Sequence, residues 1–509
     1  MATPSEKLAQ SLEVLQSLIS QNGNSIVKSD EISRTHRDRL LSNGFLQEII
    51  KGWYIASNPE YLQGDTTSWY SSFWDFAKVY LNSRFGKEWC LSPDQSLKLH
   101  GGNKSVPVQL LVRSPKARNK ATQLMFNTSI FDLRSKILSK NEFVNSEGLN
   151  LYSLESGLVA CGADFFEKHT TDARTCLSMI KNASQLLEIL LDGGHSVIAG
   201  RLVGAFRNIG NDKIANDIYD TMKSVGYDVR ELDPFEEKLK ISFSSRELSP
   251  YASRIRIMWM QMRQPVLNNF VKTERVISDT SDYLKHVEDS YSKDAYHSLS
   301  IEGYKVTPNL IERVRSGNWN PNENEKDKEQ KNAMAARGYH QAFQAVKESI
   351  KTILEGENPG QVVDKDHGKW YRELFAPSVS AGILKASDLA GYRNGPVYIN
   401  GSMHTPLNHE AVRDAMPVFF ELLENEAEES VRVVLGHFIF VYIHPYYDGN
   451  GRIARFLMNA MIASGGLPWS IIPVELRNEY MAALEEASVN NDIIPFTRFI
   501  SSRHEEFLD

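Results

Sequence analysis

The 509-residue sequence predicts a mainly α-helical, multidomain chain: an α+β first half opening with a winged helix-turn-helix, then an all-α second half with a small β-hairpin flap. Three observations predict this. The length exceeds what one hydrophobic core serves. Alternating, strand-like stretches fall in the first half, and from about Thr273 onward the apolar spacing is that of long helices.

Residues 1–67 carry the winged-helix expectation. "SEKLAQSLEVLQSLIS", "VKSDEIS" and "THRDRLLSNGF" read as successive helices, and "LQEIIKGWYIAS" reads as a hairpin turning at Lys51-Gly52. Arg34, Arg37 and Arg39 lie where a recognition helix would meet phosphates, so DNA is a partner to test through this domain. Residues 68–240 mix an aromatic helix ("WYSSFWDFAKVYLNSRF"), strands ("SVPVQLLVRS", "ATQLMFNTSIFDL") and amphipathic helices ("ASQLLEILLDGG", "KIANDIYDTMKSVGY"), an α+β sensor or interaction domain. With "RLLSNGFLQEIIKGWYI" and "AGRLVGAFRNIG", this half resembles the sensor-like region of AbiE-type antitoxins. The basic run "RSPKARNK", Arg113 to Lys120, reads as a solvated loop. Residues 241–272 read as a linker, and 273–509 as the helical domain, with the polar break "NWNPNENEKDKEQKN" and the flap "GPVYINGSM" inside it.

Composition narrows the function classes. The chain is 41% hydrophobic and 24% charged, as ordinary globular proteins are, and its net charge of -7 argues against a broadly basic nucleic-acid surface. Cys90, Cys161 and Cys176 lack metal-ligand spacing and read as buried thiols of a reducing compartment. The opening "MATPSEKLAQ" has charges where a secretory signal needs an apolar core. The longest apolar run, "VRVVLGHFIFVYI", holds Arg432 and His437 and is short for a bilayer. A cytoplasmic protein without a membrane segment is expected.

The densest chemistry is "HPYYDGNGRIAR", His444 to Arg455. Pro445 disfavours helix in the residue before it, so His444 should stand at the lip of a buried helix. Gly449 and Gly451 let backbone approach an anion, and the following helix N-terminus adds partial positive charge. Asn450 can offer an amide donor to the same anion, Arg452 and Arg455 share a helix face for further phosphates, and Asp448 is the hard oxygen that Mg2+ prefers. His444 is the group able to take a proton from a hydroxyl near neutral pH. The set implies phosphoryl or nucleotidyl transfer from a polyphosphate to a hydroxyl.

The same stretch resembles the signature of the Fic family, with Tyr446 in place of the usual Phe. The resemblance, from about Thr273 to the C-terminus, implies transfer of AMP from ATP to a Tyr, Thr or Ser hydroxyl of a target protein or of the chain itself. His444 would be the base and Asp448 would hold Mg2+ on the α and β phosphates. Gly449, Asn450 and Gly451 would cradle phosphate, while Arg452 and Arg455 would bind the β and γ phosphates. Family members that act as kinases carry Lys at the position of Gly451, so AMP transfer is favoured. Val397, Tyr398 and Ile399 of the flap would align the target segment by strand addition.

A second pattern, "SLSIEG", puts Ser298 and Glu302 on one helix face, with Gly303 as the helix stop. It resembles the inhibitory helix of Fic proteins, here near 281–303, and implies that Glu302 pairs with Arg455 and fills the γ-phosphate position. The same glutamate could place a water for AMP removal. The rival readings are a DNA-binding, antitoxin-like regulator that uses the core as a nucleotide sensor, and transfer of UMP or phosphocholine. A second copy of the chain is a further candidate partner.

Overall fold

The structure is a computed structural model, and it describes residues 3–59, 65–136, 142–235, 249–271, 279–316 and 330–505. The chain divides into two compact units, one of Met1–Arg246 with Tyr398–Thr405, the other of Glu247–Val397 with Pro406–Asp509.

The first unit opens with helix α1 (Pro4–Asn22), whose Thr3 and Glu6 form a reciprocal capping box. Strand β1 (Ile26–Lys28), helix α2 (Arg34–Ser42), and strands β2 (Leu46–Ile50) and β3 (Trp53–Ala56) follow, in an antiparallel sheet of order β1-β3-β2. The turn at Lys51-Gly52 forms as the sequence indicates, with Gly52 at φ 86°. "VKSDEIS", expected as a helix, is instead a strand and a turn. Ile26 and Val27 pair with Ile55 and Tyr54, and the Glu31 carboxylate accepts the Lys28 N–H at 2.9 Å. The arginines of α2 are engaged locally. Arg34 and Arg37 pair with Asp38, and Arg39 donates to the Lys7 carbonyl and to Ser11 Oγ at 2.8 and 2.7 Å.

Helix α3 (Thr67–Phe85) places Trp69, Phe73, Phe76 and Ala77 on one face, all fully buried. Beyond it lie β4 (Cys90–Leu91), α4 (Pro93–His100), β5 (Gln109–Ser114), β6 (Lys120–Gln123) and β7 (Ser129–Arg134), in a sheet of order β4-β5-β7-β6 with β5 parallel to β7. The basic run wraps a buried acid: Asp132 accepts the backbone N–H of Arg118 and of Lys120 and pairs with Arg84. Strands β8 (Phe143–Ser146) and β9 (Leu149–Tyr152) form a hairpin, and helices α5 (Leu154–Ala160), α6 (Ala163–Lys168), α7 (Thr170–Met179), α8 (Ser184–Gly193), α9 (Ser196–Asn208) and α10 (Asp212–Ser224) complete the unit. Cys90, Cys161 and Cys176 are free and buried. No helix among the described residues is long and apolar enough to cross a membrane.

The expected flap is not a paired hairpin. Residues 396–405 carry no strand; they turn at Asn400-Gly401, where Ser402 N–H donates to Ile399 O. The Met403 carbonyl accepts from Val106 N–H at 2.9 Å, and Asn400 donates to Asp65 at 3.1 Å. The arm's polar groups are thus engaged outside the segment. Tyr398 and Ile399 fall in the first unit, Val397 in the second.

The second unit is helical: α11 (Pro250–Asn269), α12 (Thr280–Ile301), α13 (Pro308–Arg315), α14 (Gln330–Leu354), α15 (Pro359–Ser380), α16 (His409–Asn425), α17 (Glu429–Ile443), α18 (Asn450–Gly465), α19 (Arg477–Val489) and α20 (Ile494–Glu505). Helix α11 lies within the stretch expected as a linker, yet Ile255, Met258, Trp259, Met262 and Val266, which share one helix face, are buried in the core. Helices α17 and α18 are buried along almost their whole length, as helices inside a core are, and α18 takes Asn450, Arg452, Arg455 and Asn459 in with it.

Helices α14 and α15 meet at Gly338, where an added Cβ would lie 1.9 Å from the Leu374 carbonyl oxygen. Gly338→Ala is expected to force this crossing apart and cost about 1–3 kcal/mol, read as a lower urea midpoint for the second unit.

Candidate active site

Helix α17 stops where Pro445 follows, and His444 becomes its C-cap in the left-handed region at φ 56°, ψ 61°. That conformation is uncommon outside glycine, so its surroundings must hold it. His444 N–H donates to Phe440 O at 3.0 Å, and ring Nδ1 lies 3.2 Å from Val441 O. A carbonyl only accepts, so Nδ1 carries the proton and Nε2 keeps its lone pair. Burial pushes the imidazole down to about 4, and the Arg393 guanidinium adds to the fall. The histidine is therefore neutral through the physiological range, where the sequence alone suggested a group titrating near pH 7.

The loop is built on packing. Tyr446 stacks on Tyr371 with ring centroids 3.8 Å apart and planes 9° from parallel, so its aromatic ring anchors the loop in the core. Asn450 does not aim its carboxamide at an anion site as expected. Its Oδ1 accepts from Tyr446 N–H at 2.9 Å, its Nδ2 donates to Tyr446 O at 2.8 Å, and the side chain is buried. Its contribution is the loop's shape together with the N–H at the start of α18. Gly449 caps α18 at φ 81°, and a Cβ there would lie 3.0 Å from Phe375 Cε2. The first N–H groups of α18 have no partner within their own helix and are the positive end of its dipole. Such a group of donors is suited to an anion.

The two arginines differ in state. Arg452 is buried, with its guanidinium 5.3 Å from the Tyr304 ring centre and 5.1 Å from that of Phe375. Asp448 Oδ2 stands 3.2 Å from Arg452 Nη2 without hydrogen-bond alignment, and Asp448 Oδ1 accepts from Gly449 N–H at 2.6 Å. Arg455 donates through Nε to Ser298 Oγ at 2.9 Å and through Nη2 to Ser298 O at 3.1 Å and Glu302 Oε1 at 2.7 Å. Burial opposes its charge, but the Glu302 carboxylate outweighs that and holds Arg455 above its usual range. Arg452 Nε and Nη2 and Arg455 Nη1 are buried without a hydrogen-bond partner among the described residues. Buried cationic donors left unbonded are what an oxyanion satisfies.

The sequence signature "SLSIEG" is thus brought to the motif. Helix α12 ends at Ile301, Glu302 caps it, and Gly303 at φ 84° turns the chain away. Gly451 makes room for the acid, because a Cβ on it would lie 2.5 Å from Glu302 Oε1. No group of three or more His, Cys, Asp or Glu among the described residues could hold a metal. Asp448, with a side chain 60% exposed, is one hard oxygen donor; it fits a Mg2+ that takes its other ligands from phosphates and water.

Residues 365–462 match the model of the Fic/DOC family. That stretch resembles the family. The protein adenylyltransferase Fic of Drosophila willistoni is 28% identical over 226 residues, 44% of this chain and 42% of that protein. The relative of the same description from Drosophila yakuba is 38% identical over 122 residues, 23% of this chain and 24% of that protein. The chain thus spans less than half the length of the curated relatives it matches. Among solved structures, Fic-1 from C. elegans is 19% identical, covering 67% of this chain and 94% of that one at a TM-score of 0.37, too low to carry an argument. The Fic domain match takes in the whole motif, while α12 with Ser298, Glu302 and Gly303 lies outside it.

Sequence reasoning missed the residues around the Fic motif: Tyr371 and Phe375 of α15, Tyr304 beyond α12, and Arg393, which donates to the His444 carbonyl at 2.7 Å. None belongs to a short motif, and only folding brings them near.

Two outcomes follow from this geometry. In proton NMR, the His444 ring resonances are expected to titrate with a midpoint near 4; a midpoint near 6.5 would contradict the packing described. Asn450→Ala removes both bonds to the Tyr446 backbone and is expected to cost about 1–3 kcal/mol, read by chemical denaturation.

Proposed function

We propose that this protein is a self-inhibited protein adenylyltransferase, transferring AMP from ATP to a Tyr, Thr or Ser hydroxyl of a target protein or of itself. The observation that carries the reading is a neutral His444 with a free Nε2, one loop away from an anion nest flanked by buried guanidinium donors without partners. The names of the relatives, protein adenylyltransferase Fic, point the same way.

In the proposed reaction, the target hydroxyl oxygen attacks the α-phosphorus and His444 Nε2 takes its proton. The bond from that phosphorus to the α,β-bridging oxygen breaks, and pyrophosphate leaves. The Gly449–Gly451 nest holds phosphate oxygens, and Arg452 and Arg455 bind the β and γ phosphates. Asp448 would hold Mg2+, which supplies charge neutralisation at the phosphates. Val397, Tyr398 and Ile399 would dock the target by its backbone.

The brake is Glu302. With its carboxylate on Arg455 and against Gly451, the γ phosphate has neither its cation nor its space. The same acid, placed beside the nest, could orient a water and reverse the transfer. A cytoplasmic location fits the free, buried cysteines. DNA binding through α2 draws no support from arginines that pair with Asp38 or brace α1.

The test is ATP labelled at the α or the γ phosphate, incubated with full-length wild type, Glu302→Gly and Glu302→Gly/His444→Ala. Loss of the charged hydrogen bond is expected to raise α-label incorporation by roughly 10-fold to 100-fold, and His444→Ala abolishes it. Label from the γ position alone would mean a kinase. No label in any variant would sink the adenylyltransferase reading.

A further inference from the structure

The guanidinium of Arg393 is 1% exposed, as deeply buried as the motif arginines, yet it lies more than fifty residues before them in sequence. It donates to backbone carbonyls: Nε to His444 O at 2.7 Å, Nη1 to Gly395 O at 2.9 Å, and Nη2 to Leu407 O and, at 3.5 Å, to Ile443 O. Its own N–H donates to Pro445 O at 3.0 Å. Three of these five acceptors are the consecutive carbonyls of Ile443, His444 and Pro445, where α17 ends. The last carbonyls of a helix lack intrahelical donors and form the negative end of its dipole, so a buried cation there is favoured. The other two acceptors, Gly395 and Leu407, flank the segment that carries Val397, Tyr398 and Ile399.

Next to Arg393, the backbone N–H of Asn394 donates to Tyr447 Oη at 3.0 Å, and Arg413 donates to the Asn394 side-chain oxygen. The stem is therefore fastened twice to the loop that contains the base.

We infer that Arg393 is a positioning residue for the transfer reaction: with Tyr447 as a second anchor, it locks the left-handed backbone of His444 and ties both ends of the docking segment to the same point. The inference rests on the adenylyltransferase reading. A non-glycine residue in the left-handed region needs its neighbours to hold it, and the fork of one guanidinium holds the carbonyls on both sides of the His444 Cα. That geometry keeps Nδ1 against Val441 O, and hence the lone pair on Nε2. A lysine keeps the charge but has no planar fork, so it cannot serve Ile443, His444, Gly395 and Leu407 together.

The test uses the full chain in the Glu302→Gly background, comparing Arg393→Lys and Tyr447→Phe with the parent. The first readout is self-incorporation of α-label from ATP. Arg393→Lys is expected to lower the maximal rate on the order of 100-fold and Tyr447→Phe on the order of 10-fold, with the half-saturating ATP concentration within about twofold of the parent in both. The second readout is the His444 tautomer by 15N NMR, its signals assigned by their loss in His444→Ala. The parent holds the proton on Nδ1, and Arg393→Lys shows a mixture.

Unchanged rates in both variants, or rates that fall only as far as ATP half-saturation rises, overturn the inference. If Arg393→Lys does not fold, Tyr447→Phe decides alone: its ring is half exposed and the change removes only an oxygen. If the Glu302→Gly parent takes no label, the adenylyltransferase reading has failed. The tautomer then decides the positioning role, an unchanged Nδ1 proton in Arg393→Lys overturning it.

Discussion

Two helices buried along almost their whole length, α17 and α18, are joined by a loop of six residues, and the second unit is arranged around the need to bury them while leaving that loop a usable surface. A loop at such a junction carries backbone groups that water reaches poorly, and each must find a partner or be placed to meet a ligand. Asn450 serves Tyr446 from the start of α18, and Arg393 serves the end of α17 from outside the loop. At this junction, donors are left over at the start of α18 and on the two guanidinium groups beside it. Because they are donors, the place has the sign of an anion site.

The aromatic residues decide where those donors sit. Tyr371 and Tyr446 stack on one another, and Phe375 and Tyr304 both lie against the Arg452 guanidinium. A guanidinium packed on aromatic rings keeps its charge in a weakly hydrated setting without spending its N–H donors. Arg455 is held differently: Ser298 fixes its position and Glu302 neutralises it. Of two arginines three residues apart, Arg455 is held by hydrogen bonds to Ser298 and Glu302, while Arg452 has the Asp448 carboxylate beside it and no hydrogen bond from its Nε.

The motif was legible in sequence because its chemistry is contiguous: the left-handed histidine before proline, the glycine cap and both arginines fall within twelve residues. The pairing of Glu302 with Arg455 was legible only through family resemblance, since the two lie 153 residues apart. Burial was not legible. It converts His444 from a group titrating near neutrality into a neutral one, and the Asn450 amide from a ligand donor into a brace. Local errors had local causes: a carboxylate at Glu31 that closes a turn where the residues suggested helix, and a Met403 carbonyl that bonds Val106 where the sequence suggested a ladder. Helix α11 was hidden by the polar residues before it, although its own apolar spacing is regular.

Gly451 carries a consequence beyond the shape of the nest. A methyl group there would lie 2.5 Å from Glu302 Oε1, so any side chain at this position would push the end of the Glu302 side chain from where it stands. A single-codon change from glycine would therefore disturb the ion pair between Glu302 and Arg455 without touching either partner.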